Sequence, residues 1–463
     1  EGQAPLANQG FLRTYGHYAA VMLVRRRTEA IDRLQEHSYV LRALAQPGQV
    51  YMDTQITELP DVLDPAAVDE SKTAAIQDSL RVRPMYALQG PPGTGKTTLV
   101  AHLLRQILAD DPVAQILVTA QAHGAVDVLR RKVREEVFGN APEEELPLAV
   151  RLGKGEKNER PQDVEGSVAN VTADLLRRVS EKLGQSAVQS ASQRRWYELA
   201  WQLADLANGT STSQQGGRSD QAERDLADFE ELIKRSASIT FCTTSARDLE
   251  DLADGNRSFD WSIVEEAGRS HGFDLALPLQ VGHRWLLLGD QAQLPPYRIH
   301  DYAEGIDQLG QAVEALSDLT TPQLVDRDWI GRWSRQSAQD QEDFKEFCNT
   351  WLRTFDTLFN QLKEGIFGSE RMTMREPVGA ATGRLSIQYR MHPTIGTLIS
   401  KAFYPEFGGI DNGTVGADGK PLPRFVHAIE SPVDLRGKAI LWIDMPWCQQ
   451  DPEAGEQGPK QNR

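Results

Sequence analysis

Residues 85–108 read MYALQGPPGTGKTTLVAHLLRQIL. Met85–Leu88 is a short apolar run of strand character. Gly90-Pro91-Pro92-Gly93-Thr94-Gly95-Lys96-Thr97-Thr98 follows, and then Leu99, Val100, Leu103, Leu104, Ile107 and Leu108 recur at helical spacing. A Gly-x-x-x-x-Gly-Lys-Thr string between a strand and a helix is a phosphate-binding loop. Its glycines let backbone N–H groups turn toward phosphate oxygens. Lys96 would reach the β- and γ-phosphates, and the Thr97 hydroxyl would hold Mg²⁺. The helix that opens here adds the pull of its N-terminus on negative charge. ATP with Mg²⁺ is the expected ligand, cradled by Gly90 through Thr98.

Outward from this stretch, strands and helices alternate. Gln115–Thr119 reads as a buried strand and Ala125–Val137 as a helix; strands resume at Ile239–Cys242, Trp261–Val264 and Arg284–Leu288. Such alternation implies an α/β fold with a parallel sheet covered on both faces. After about residue 380 it restarts, with strands at Leu385–Gln388 and Ala439–Ile443 around a helix at Thr394–Phe403, as the opening of a second parallel-sheet domain.

Two charged helical segments interrupt the pattern. Residues 157–235 carry periodic Leu175, Leu176, Val179 and Leu183, then Trp196, Tyr197 and Trp201; residues 301–354 carry Trp329, Trp333 and Trp351. These tryptophans either pack helices together or stack on bases. NGTSTSQQGGRS (208–219) has the composition of a flexible tip. Ahead of the sheet, residues 17–46 place Val24, Ile31, Leu34, Leu41 and Leu44 at helical spacing opposite Arg25, Arg27, Arg33 and Arg42. That reads either as an arm packed on the core or as a basic helix for nucleic acid. The expected organisation is an arm (1–75), a first domain (76–156 and 236–300), insertions (157–235 and 301–354), a connector (355–378) and a second domain (379–463).

Three downstream motifs fit the loop in order and spacing. Ile263-Val264-Glu265-Glu266 ends an apolar strand with two carboxylates, and adjacent strand side chains face opposite ways. Glu265 is therefore assigned to the metal and Glu266 to the attacking water. Gly289-Asp290-Gln291-Ala292-Gln293-Leu294-Pro295-Pro296 puts Gln293 at a strand end, where it can sense the γ-phosphate, and its prolines stiffen the loop. Gln388-Tyr389-Arg390-Met391-His392-Pro393 offers Arg390 as an arginine finger and Tyr389 as a stacking partner for the base.

The bulk numbers are those of a globular chain: 463 residues, 40% hydrophobic and 25% charged. No run approaches the roughly 18 apolar residues of a membrane span. Tyr18–Val24 is too short, and followed too closely by Arg25-Arg26-Arg27, for a signal peptide. Cys242, Cys348 and Cys448 lie far apart, against a disulfide framework or zinc site and in keeping with a reducing cytoplasm. The net charge of −16 does not exclude nucleic acid, since a motor needs only a local basic stripe. The chain starts without Met and ends at Gln461-Asn462-Arg463, so it is expected to be a window on a longer protein.

Together these residues resemble the superfamily 1B helicases of the nonsense-mediated-decay and senataxin type and their bacterial relatives, over roughly 85–155, 236–300 and 355–445. ILVTAQAHGAVDVL (116–129) is similar to that family's strand-contacting motif Ia. VRLGKG (150–155), ITFCTTS (239–245), FDTLFNQL (355–362) and FYP (403–405) look like further family segments. The resemblance implies tandem RecA-like domains and ATP-driven 5′→3′ movement on single-stranded DNA or RNA. It points to Thr119, Ala120, His123, Thr243 and Thr244 as nucleic-acid contacts. The insertions would be available to protein partners, with no membrane role. Glu265 stands where the family has Asp, Arg269 where it has Gln, and Ala120-Gln121-Ala122-His123 where it has Ala-Pro-Ser-Asn. Lys72 in VDESK (68–72) falls where the family has the Gln that reads adenine. Large insertions, drifted motifs and acidic charge leave one alternative in view: an ATP-gated switch or scaffold with little processive unwinding.

Overall fold

The computed structural model describes residues 17–47, 50–52, 68–139, 146–153, 164–184, 190–209, 219–255, 257–317, 327–364 and 381–426, with 433, 436 and 438–440. The strands are β1 Tyr51–Met52, β2 Val82–Arg83, β3 Met85–Gln89, β4 Ile116–Ala120, β5 Ala149–Arg151, β6 Ile239–Thr243, β7 Phe259–Val264, β8 Gly282–Gly289, β9 Thr382–Arg384, β10 Ile387–Gln388 and β11 Asp411–Asn412. The chain divides into two compact units. One is Glu1–Pro91 with Gly95–Leu385; the other is Pro92–Thr94 with Ser386–Arg463.

The first unit is built on a seven-stranded sheet of order β5-β6-β4-β7-β8-β3-β9. Every pairing in it is parallel. β3, β4 and β6 are buried at every position, as strands covered by helices on both faces must be. Leu88, Val118, Ile263 and Leu286 from the sheet pack with Leu99, Leu103 and Leu104 of helix Lys96–Asp110 in one core. This is the α/β architecture read from the alternation.

Two expectations shift. Thr382–Arg384, placed by sequence in a second domain starting at 379, pairs with β3 as the edge of the first sheet. The strand expected at Leu385–Gln388 is shortened to Ile387–Gln388, which pairs in parallel with β11 in the second unit. Helix Pro393–Phe403 follows as expected. The strand expected at Ala439–Ile443 lies largely outside the described residues, as do most of the 208–219 tip and the connector beyond Glu364.

The N-terminal arm is two helices, His17–Leu34 and Ser38–Ala45. Three of its arginines pack against acidic elements, while Arg25 and Arg42 stay exposed. Arg27 meets Asp274 at 2.8 Å, Arg33 meets Asp254 at 2.6 Å, and Arg26 meets Glu250 at 3.5 Å. Val24, counted in the apolar stripe, is 59% exposed. These three arginines are committed to carboxylates.

In the first insertion, helices Val168–Gly184, Ala191–Ala207 and Ser219–Ser236 close a small core of Leu176, Ala200, Leu203, Ala204 and Ala222. In the second, Trp329 stacks on Trp333 and both touch Phe344, while Trp351 packs on Phe347 and Phe273. Those tryptophans are helix-packing residues; Trp196, at 63% exposure, is not. Burial pushes the Cys242 and Cys348 thiols up; Cys448 lies outside the described residues. Among the described residues no helix is long and apolar enough to cross a membrane.

Candidate ATP site

β3 delivers the chain to Gly90, whose N–H donates to Gly289 O at the end of β8 (2.9 Å). Gly93 and Gly95 take positive φ, +77° and +82°, the left-handed region that glycine enters without a Cβ penalty. Gly90 leaves no room for a Cβ against the Lys96 stem, and at Gly95 a Cβ would lie 2.9 Å from Lys72 Cε. Lys96 opens the helix and its Nζ donates to Gly90 O at 2.5 Å. These are the conformations that turn backbone N–H groups inward around an anion.

Thr97 Oγ1 donates to Glu265 Oε1 at 2.9 Å, so the two assigned metal ligands are neighbours. A hydroxyl beside a carboxylate is a donor set of hard oxygens, which suits Mg²⁺. Glu265 is 5% exposed, and burial holds its carboxyl above the usual range, with the Thr97 hydrogen bond and Lys96 opposing the rise. β7 ends at Val264, so Glu265 and Glu266 sit on a turn and not on the strand itself. Their separation comes from Glu266 adopting φ +58°, beyond which its carboxylate meets Arg269 Nη1 at 3.3 Å.

Gln293 donates to Asp290 Oδ2 at 2.5 Å. The other Asp290 oxygen accepts from Ala292 N (3.2 Å) and Gln89 Nε2 (3.4 Å). Asp290 therefore anchors the Gln291–Gln293 turn, a role not assigned from the sequence. Lys72 is 3% exposed and ion-paired with Asp69, which also caps the helix by accepting from Lys72 N at 3.0 Å.

Within the second unit Tyr389 N donates to Gly93 O (2.8 Å). Gln388, fully buried, organises the motif. Its Oε1 accepts from Arg390 N (3.0 Å) and Met391 N (2.7 Å), and its Nε2 donates to Asn412 Oδ1 (2.7 Å). Arg390 is exposed, and His392 caps the following helix by accepting from Thr394 N at 3.2 Å.

The candidate strand contacts divide. Thr119, Ala120, Thr243 and Thr244 are all buried at the ends of β4 and β6, so their side chains present no surface to a strand. Their backbone is committed too: Thr119 O accepts from Glu265 N, and Ala120 O accepts from Thr244 N. His123 is half-buried, 3.2 Å from Arg151 Nη2, and begins helix His123–Lys132, whose N-cap Ala122 makes no side-chain cap. Arg151, 1% exposed, also donates to Asp127 Oδ1 at 2.5 Å and ties that helix to β5.

Residues 67–300, just over half of the chain, match the family model described as an AAA domain. Among curated proteins, Helicase sen1 of Schizosaccharomyces pombe is 23% identical over 54% of this chain and 18% of its own length. The DNA polymerase alpha-associated DNA helicase A of Saccharomyces cerevisiae is 26% identical over 50% of this chain and 33% of its own. The Regulator of nonsense transcripts 1 homolog of Neurospora crassa is 23% identical over 86% and 28%. The chain thus spans a third or less of the relatives it matches. With its glycine loop and the Glu265-Glu266 pair, the chain belongs to the AAA-domain family, on its senataxin-like superfamily 1B branch.

Proposed function

We propose that this chain hydrolyses ATP to drive movement along single-stranded nucleic acid, as part of a helicase. The observation that carries the reading is the hydrogen bond joining Thr97 to Glu265, which gathers phosphate loop and acid at one point. In this reading the backbone of Gly93–Thr98 and the Lys96 ammonium bind the triphosphate. Thr97 and Glu265 would hold Mg²⁺, which supplies charge neutralisation at the β- and γ-phosphates. Glu266 orients the attacking water, and Gln293, steadied by Asp290, senses the γ-phosphate. Arg390 keeps the arginine-finger role and Tyr389 the base contact. On the strand side, the open N-terminus of the helix at Ala122–His123 replaces the buried threonines as the phosphate contact.

Movement is assigned 5′→3′ along single-stranded DNA or RNA, with the insertions open to protein partners and the cytoplasm as compartment. A partial duplex with a 5′ single-stranded tail tests this. It should be unwound with ATP, while a 3′-tailed duplex and the Lys96→Ala variant give at least about 100-fold slower unwinding. Equal unwinding of both tails would remove the direction. Nucleotide binding with no unwinding of either would favour an ATP-gated switch, which the net charge of −16 supports.

A further inference from the structure

Behind the ATP site the backbone narrows to one junction. Gly289 ends β8, and its carbonyl accepts from Gly90 N at the start of the phosphate loop (2.9 Å). Asp290, which holds Gln293, follows it directly. Gly268 lies in the turn after the two carboxylates, where Arg269 N donates to Glu266 O at 2.9 Å. The two glycines are in contact. A Cβ on Gly289 would come within 2.7 Å of Gly268 N, and one on Gly268 within 3.1 Å of Asp290 N. Phosphate loop, carboxylate turn and Gln291–Gln293 turn thus meet at this pair of residues.

One side chain closes the junction. Phe355 is 1% exposed and lays its ring against both glycines: a Cβ on Gly289 would lie 2.5 Å from its Cε1 and Cζ, and one on Gly268 3.4 Å from its Cδ1. The ring comes from the first turn of helix Thr354–Glu364, where the second insertion returns to the sheet. Just before it Trp351 is seated in the same way, since a Cβ on Gly272 would fall 2.3 Å from its Cε2. Thr354 Oγ1 donates to Trp351 O at 2.6 Å and ties the two aromatic positions together. Close-packed interiors transmit displacement instead of absorbing it. A misplacement of about 1 Å in a catalytic site can cost about 100-fold in rate.

We propose that Phe355 is a positioning residue for ATP hydrolysis. It acts through the backbone, holding the Gly268–Gly289 junction from which Glu266 and Gln293 reach the γ-phosphate. The inference rests on the ATP reading given above. The grip on the triphosphate is made by Gly93–Thr98 and Lys96, beyond the junction, so loss of the ring bears on the chemical step more than on binding. The insertion's return to the sheet is in this way part of the catalytic scaffold.

Steady-state ATP hydrolysis by the whole chain, together with binding of the fluorescent analogue mant-ADP, tests this. Phe355→Leu and Phe355→Met keep an apolar side chain without a flat ring. Each should lower kcat at least about tenfold, with KM for ATP and mant-ADP affinity within about twofold of the parent. Leu362, fully buried about two turns further along the same helix, supplies the control. Leu362→Ala should lower the melting temperature at least as far yet keep kcat within about twofold. Unchanged kcat in both Phe355 variants, a raised KM at unchanged kcat, or an equal loss of kcat in Leu362→Ala overturns the proposal. A parent chain without ATP turnover would overturn the ATP reading itself, and this inference with it.

Discussion

Thr97 and Glu265, 168 positions apart in sequence, meet through a 2.9 Å hydrogen bond from hydroxyl to carboxylate. The strands that deliver them, β3 and β7, are not neighbours; β8 lies between them. The contact is made above the strand ends, where open parallel sheets bind ligands. It requires that β3 stop at Gln89 and that the phosphate loop turn back over the sheet.

Glu265 should show the stability–activity conflict of a buried ionisable group. Burial raises its carboxyl pKa, so the folded chain holds the proton more tightly than the unfolded one. The stability this contributes is complete below the ordinary value of 4.5 and is lost as pH rises through the raised one. Glu265→Gln should then melt about 2–4 °C higher than the parent at pH 7.5 without nucleotide, the gap closing toward pH 4. Its ATP turnover should fall at least about 100-fold. Thermal melts across pH and a phosphate-release assay check both halves; an unshifted melt with retained turnover would refute both.

Asp290→Ala removes the acceptor of Gln293 and, through its second oxygen, of Ala292 N. If Gln293 acts on the γ-phosphate during reaction, as proposed, kcat for ATP should drop roughly 10–100-fold with KM changed less than about twofold. A rise in KM at unchanged kcat would instead place Asp290 in nucleotide binding.

Asp356 lies in helix Thr354–Glu364, whose Phe355 packs against Gly268 and Gly289. Burial pushes its carboxyl up to about 6, the Asp290 charge adding and Arg353 opposing. The raised value means stability is lost as pH climbs from 3.8 toward 6. Asp356→Asn should be more stable at pH 7 by roughly 1–2 kcal/mol after solvent screening, and equal to the parent below pH 4. Denaturant unfolding at the two pH values measures it; a gap that persists at pH 4 would point to packing instead.

What the sequence made legible was chemistry that dictates residue identity. Only glycine serves at Gly93 and Gly95, and Lys96 and Thr97 follow from the phosphates, so loop, strand and helix were readable at once. The parallel sheet followed from the same alternation. Asp290 and Gln388 went unassigned because their roles arise from tertiary hydrogen bonds, with no local pattern to announce them. Thr119, Ala120, Thr243 and Thr244 were named from a motif, but β4 and β6 bury them where the strands end. The arginines of helix His17–Leu34 left two readings open, a packed arm or a nucleic-acid face, because their partners, Glu250, Asp254 and Asp274, lie more than 200 positions away. β9 was assigned to the wrong sheet since three residues, Thr382–Arg384, carry too little pattern to reveal their neighbour.

The most direct test of the central claim is steady-state ATP hydrolysis with and without a single-stranded DNA and a sequence-matched RNA oligonucleotide. A nucleic-acid motor predicts at least about tenfold stimulation by one of them, saturating with oligonucleotide and falling as salt rises. Turnover that is measurable but indifferent to both oligonucleotides would contradict it.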